Sequence, residues 1–140
     1  KIGNGAFYKC ESLECVDIPA NVTEIEDSAF YGCTRLAEIN LSASLLRIGN
    51  RSFYKCTRLN SIILPHSLTY VDSQAFVYCE NLNAIYYEGS LEEWSSVFTY
   101  EEFPNNISES IICYYSETNP TDKLHTYWSY VDGKPVVYMP

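Results

Sequence analysis

Residues 2–24 read Ile-Gly-Asn-Gly-Ala-Phe-Tyr-Lys-Cys-Glu-Ser-Leu-Glu-Cys-Val-Asp-Ile-Pro-Ala-Asn-Val-Thr-Glu, and the chain then runs the same pattern again. Phe7, Phe30, Phe53 and Phe76 stand 23 residues apart, as do Cys10, Cys33, Cys56 and Cys79, and Leu13, Leu36, Leu59 and Leu82. A fixed period of this size marks a stacked repeat array, because one such unit cannot bury its apolar side alone. Four coils begin at Ile2, Ile25, Ile48 and Val71.

Each coil carries two periodicities. Phe7, Cys10 and Leu13 recur at three-residue intervals behind the small residue Ala6, whose equivalents are Ala29, Ser52 and Ala75. That spacing predicts one or two turns of helix with one face inward. From Leu13 the pattern becomes Leu-x-x-Val-x-Ile, and its period of two predicts a short strand. Stacked coils then pair these strands in a parallel sheet, about 4.8 Å apart. Val16, Ile39, Ile62 and Ile85 face the core, followed by Ile18, Leu41, Leu64 and Tyr87. Pro19 and Pro65 lack a donor and end the ladder. Val22, Leu45 and Leu68 close the first three coils, and the chain returns along the opposite side, extended.

The unit Ile-x-x-x-Ala-Phe-x-x-Cys-x-x-Leu-x-x-Ile-x-Ile-Pro-x-x-Val resembles the BspA-like (Treponema-type) leucine-rich repeat over residues 2–88. The resemblance implies an α/β repeat solenoid: a curved, right-handed stack of 23-residue coils whose parallel β-sheet lines the concave surface. It also implies a surface or secreted bacterial protein used for binding, since members have been linked to adhesion to host matrix proteins or to other cells. Ile85 to Trp94 is similar to the segment that closes such arrays. Residues 115–120 and 127–137 are similar to the terminal segment that follows these repeats in proteins of gut-dwelling bacteria. The chain divides on this reading into four repeats over 1–88 and a small β-rich C-terminal cap over 89–140.

In the cap, Ser90 and Glu93 form a capping box for a helix from Leu91 to Phe98, with Leu91, Trp94, Val97 and Phe98 on one face. Residues 99–110 read as a loop, Ile111 to Tyr115 as a strand, and Thr118 to Asp122 as a turn. Tyr127 to Val131 and Val136 to Met139 flank Asp132-Gly133-Lys134-Pro135, a hairpin signal. Such a cap covers a sheet edge that would otherwise invite aggregation. The chain opens inside the pattern at Ile2, where a solenoid ordinarily carries a capping repeat, so further chain is expected before it.

The six cysteines allow two readings. Cys10, Cys33, Cys56 and Cys79 share an inward register and fit a column of buried thiols. Stacked coils could equally bring two of them within disulfide reach. Cys15 occupies an outward strand position and Cys113 lies in the tail. His66 and His125 have no partners at metal spacing, so neither zinc nor another cofactor is expected.

The formal charge is −9, with 7 Lys/Arg and 10 Asp/Glu before residue 91 and 2 and 8 after it. Nucleic-acid binding needs a basic stripe, and the sequence displays none. No run of 18 apolar residues marks a membrane span. There is no phosphate loop, nucleophile elbow or His-Glu-x-x-His, so an enzyme is not expected. The remaining function is binding. Side chains alternating with the core ladder form the candidate partner face: Asp17, Glu38, Asn40, Ser61, Ile63, Ala84 and Tyr86. Its apolar end, Ile63 and Tyr86, either contacts a partner or is covered where the tail folds back. Tyr8, Tyr31 and Tyr54, then Val77 with Tyr78, make a second column along the turns, half-buried between coils or available to a ligand. Tyr127, Trp128 and Tyr130 in the tail are an alternative aromatic patch that could hold a glycan, unless one face of it is cap core. The function expected is therefore a non-catalytic protein–protein interaction module, adhesin-like, whose ligand is a host or bacterial surface protein. A structural spacer in a larger surface protein is the alternative, beside the glycan module.

Overall fold

A computed structural model describes residues 1–97, 111–117 and 124–138. The 23-residue period is written directly into its backbone. On one side of the coils lie the strands β1 (Cys15–Asp17), β3 (Glu38–Asn40), β5 (Ser61–Leu64) and β7 (Ala84–Tyr87). On the other lie the two-residue strands β2 (Glu24–Ile25), β4 (Arg47–Ile48) and β6 (Tyr70–Val71). All pairings between coils are parallel and one period apart: Cys15 opposite Glu38, Glu24 opposite Arg47, Arg47 opposite Tyr70, Ser61 opposite Ala84.

Between the two sides the core is a stack of like residues. Ile25, Ile48 and Val71 are fully buried, as are Phe30, Phe53 and Phe76. The Phe rings stack nearly parallel, with centroids 5.0 Å apart for Phe7 and Phe30 and 5.4 Å for each later pair. The thiols are free, which decides between the two readings of the cysteines. Cys33, Cys56 and Cys79 are buried, and each donates to the carbonyl of the Phe 26 residues before it, at 3.0–3.2 Å. Cys10 has no earlier coil to donate to in this chain and is exposed, as is Cys15.

The turn segment departs from the helix that three-residue spacing predicts. Residues 4–9, 27–32 and 50–55 form successive tight turns. Gly5, Ser28 and Arg51 have positive φ, and so do Lys9, Gly32, Lys55 and Tyr78. Two left-handed residues four apart cannot sit in a right-handed helix. Their effect is to divide the N–H groups. Ala6, Tyr8 and Cys10 bond three residues back, whereas Gly5, Phe7 and Lys9 donate to Asp27, Ala29 and Tyr31 of the next coil. A helix would spend all these donors within the coil. Three-residue spacing thus buries the same face while freeing alternate donors for stacking.

A second correction concerns the strand side. The continuous sheet expected there is two sheets: β1 pairs with β3, and β5 pairs with β7, with no ladder between β3 and β5. The opposite side, β2–β4–β6, is continuous.

The ladder also runs past residue 88. Strand β8 (Ile112–Tyr115) pairs parallel with β7, Ile85 opposite Ile112. Strand β9 (Thr126–Val131) follows parallel to β8, and β10 (Lys134–Tyr138) closes an antiparallel hairpin with β9. The hairpin turn is Asp132-Gly133, with φ 50° and 73°. Positive φ at both positions is the type I′ geometry that matches strand twist. Lys134 and Pro135 therefore belong to the strand, with Pro135 on its unpaired edge among the described residues. Helix α1 (Leu91–Val97) begins at the expected capping box: Ser90 N–H donates to Glu93 Oε2 at 2.8 Å, and Glu93 N–H to Ser90 Oγ at 3.3 Å. Trp94 and Val97 are buried against the last coil. Phe98, the 99–110 loop, the 118–122 turn and Met139 fall outside the described residues.

Candidate protein-interaction face

The strand side presents its outward residues in two groups. At one end, Cys15, Asp17, Glu38 and Asn40 are exposed. Asn40 Nδ2 donates to Asp17 Oδ1 at 2.6 Å, so the amide and carboxylate of successive coils are tied into one polar row. Glu14 beside them pairs with Arg35. At the other end, Ser61, Ile63, Ala84 and Tyr86 are half-buried. The missing ladder between β3 and β5 lies between the two groups.

The cap packs on Tyr86. Trp128 is fully buried, and its ring centroid lies 5.3 Å from that of Tyr86. Its indole N–H donates to the Tyr87 carbonyl at 2.9 Å. Tyr115 and Tyr130 pack on the same indole at 5.7 and 4.9 Å. Tyr130 donates its hydroxyl to Glu88 Oε1 at 2.8 Å. Burial, followed by the adjacent Glu88 carboxylate, pushes its phenol up to about 12. Burial also raises Tyr86. Of the tail triad, Trp128 is core, Tyr127 is half-buried against Tyr114, and Tyr130 is 44% exposed. The three do not form one open platform.

Several contacts here lack a local sequence signal. Trp128 and Tyr86 are 42 residues apart and outside the period. The link from His66 Nε2 to Glu93 Oε1, 2.9 Å, joins the third coil to α1. This hydrogen bond, with that from Ser90, holds the Glu93 carboxyl below the usual carboxylate range. Among the described residues no group of three His, Cys, Asp or Glu side chains is arranged to hold a metal, and no helix is long and apolar enough to cross a membrane.

Residues 1–113 match the profile of the BspA type leucine rich repeat region in six copies. The chain belongs to the BspA-type leucine-rich repeat family. Among solved structures, the BspA-type chain is similar to the Treponema pallidum leucine rich repeat protein, with 26% identity and a TM-score of 0.53 over 80% of this chain and 65% of that one. A leucine rich cell surface protein of Faecalibacterium prausnitzii A2-165 matches at 24% identity and a TM-score of 0.42, over 63% of this chain and 35% of that one. The chain thus spans less than two thirds of either relative. No curated protein matches. Repeats of the BspA-type family are generally non-catalytic and generally mediate protein–protein interaction.

Proposed function

We propose that this chain is the partner-binding part of a secreted or cell-surface bacterial protein, adhesin-like, and that it binds a host or bacterial surface protein through its strand side. The observation that carries this reading is the row Asp17, Glu38 and Asn40. Three polar side chains from two coils stand exposed in register, and two are already hydrogen-bonded to each other. A rigid array of oriented polar groups needs little ordering when a partner docks, which favours affinity. The acidic character of this end favours a basic surface on the partner. Ile63, Ala84 and Tyr86, half-buried, contribute partial apolar area at its far end.

The test is a binding screen against extracellular matrix proteins and bacterial surface proteins, repeated with Asp17→Lys and Glu38→Lys together. The double reversal is expected to abolish capture and leave the melting temperature within a few degrees, as exposed substitutions do. Capture unaffected by the reversal would place the binding face elsewhere.

A further inference from the structure

The turn side of the coils carries a surface that the strand side does not. Tyr8, Tyr31 and Tyr54 stack face to face, 4.9 and 4.8 Å between centroids at 17° and 11°, and Tyr78 closes the row edge-on at 5.1 Å. Tyr8 and Tyr78 are each 50% exposed, and Tyr31 and Tyr54 are half-buried. Three exposed cations lie along this row. Lys9 Nζ is 5.6 Å from the Tyr8 ring, Arg51 lies 5.6 Å from the Tyr54 ring, and Lys55 Nζ lies 5.9 and 5.8 Å from the rings of Tyr54 and Tyr78.

These cations differ from three others in the chain. Lys1, Arg35 and Arg47 are held by Glu26, Glu14 and Asp27. Lys9, Arg51 and Lys55, like Arg58 and Lys134, face no carboxylate within 4.0 Å among the described residues, and Arg51 Nε donates to the neutral Gln74 Oε1 at 2.8 Å. A chain of net charge −9 thus leaves unpaired positive charge gathered on one aromatic row. Lys9 and Lys55 stand two periods apart and so fall in one column of the stack.

We infer that this tyrosine row with Lys9, Arg51 and Lys55 is a binding site for an anionic linear polysaccharide, such as a sulfated glycan. A row with one phenol per coil offers the same polar rim again at each step of the stack, and a polymer with repeating anionic groups can meet it step by step. Arg and Lys supply charge-assisted hydrogen bonds to sulfate or carboxylate oxygens. The stacking argues against nucleic acid. Single strands are held by bases lying on open aromatic faces, and here the inner ring faces of Tyr8, Tyr31 and Tyr54 are covered by each other. The site is on a different side of the coil from Asp17 and Glu38, and it stands whether or not that face binds a protein.

The experiment is titration of the full chain with heparin at low salt, followed by calorimetry or fluorescence anisotropy of labelled heparin. Binding is expected, and with three ionic contacts the logarithm of affinity falls against the logarithm of salt with a slope of about −2. The triple variant Lys9→Gln, Arg51→Gln, Lys55→Gln is expected to lose about tenfold or more in affinity, the equivalent of one charge-assisted contact at least. Tyr31→Phe with Tyr54→Phe keeps the stack and is expected to weaken binding several-fold by removing the hydroxyls. Lys134→Gln, an exposed cation in the hairpin, is expected to bind as the parent does. No binding at low salt would overturn the inference, as would a triple variant that binds like the parent, or equal weakening by Lys134→Gln. Tighter binding of poly-glutamate or an oligodeoxynucleotide than of heparin would overturn the glycan assignment.

Discussion

Replacing Phe53 by alanine removes the ring that lies between Phe30 and Phe76, 5.4 Å from each. Phe53 is fully buried. Losing the transfer free energy of the side chain costs about 1.5–3 kcal/mol. Two aromatic contacts add about 0.5–1.5 kcal/mol each beyond area. The gap opens between two flat rings whose backbones are fixed by the turn hydrogen bonds of their own coils, so it collapses only in part. These contributions converge on about 4 kcal/mol, within the range of buried Phe-to-Ala changes. Phe7 supplies the comparison. It is half-buried and has one ring neighbour, Phe30, so Phe7→Ala is expected to cost about half as much. The assay is urea denaturation followed by far-ultraviolet circular dichroism. At an unchanged slope, Phe53→Ala moves the midpoint down by about 2 M. A Phe53→Ala shift no larger than that of Phe7→Ala would refute the reasoning, since stacking on both faces is what separates the two sites.

Ser52 holds the position of Ala6, Ala29 and Ala75, and its buried hydroxyl has no hydrogen-bond partner among the described residues. Ser52→Ala is expected to stabilise the chain by about 1 kcal/mol, read by the same denaturation. A Cβ at Gly49 would lie 2.4 Å from Asp27 Oδ1 and 2.9 Å from the Asp27 backbone nitrogen. Asp27 Oδ1 is held by the Asn50 N–H at 2.9 Å, so Gly49→Ala is expected to lower stability by about 1–3 kcal/mol in a thermal melt. With an aromatic disulfide reagent at neutral pH, Cys10 and Cys15 are expected to react at once, and Cys33, Cys56, Cys79 and Cys113 only on unfolding. Burial pushes the Cys33 thiol up to about 11 and the Cys79 thiol to about 12, from an ordinary value of 9.0. A raised folded value holds its stabilisation below the unfolded value and loses it as pH climbs to the folded one, so stability should fall between about pH 9 and 12. Alkaline denaturation curves of the parent and of a Cys33→Ala, Cys79→Ala variant check it, and the variant should lose less.

The stack was legible because its evidence is repeated. Phe, Cys and Leu columns recur four times, and a period of 23 leaves each column only one way to align. The turn conformation was not legible. Its left-handed positions are occupied by Lys9, Lys55 and Tyr78 as well as by Gly5 and Gly32. Without glycine in every coil, the pattern reads as helix, since both structures bury residues three apart. The gap between β3 and β5 likewise has no mark in the strand columns. The capping box and the Asp132-Gly133 turn were legible because their physics is local. The covering of Tyr86 by Trp128 was not, because nothing local connects residues in different strands of an aperiodic tail.

The same logic separates columns by what demands them. A buried column such as Phe30, Phe53 and Phe76 repeats because each ring needs a like-shaped neighbour to fill the core. The outward strand column Cys15, Glu38, Ser61, Ala84 does not repeat, which frees it to be shaped by a particular partner protein. The column Tyr8, Tyr31, Tyr54 repeats although it is not fully buried, and the fourth coil carries Val77 at that position with Tyr78 beside it. These rings stack on one another yet stay partly exposed, so a ligand with its own repeat can meet them one per coil. On the two proposals made above, the strand side meets an irregular protein surface and the turn side a periodic polymer.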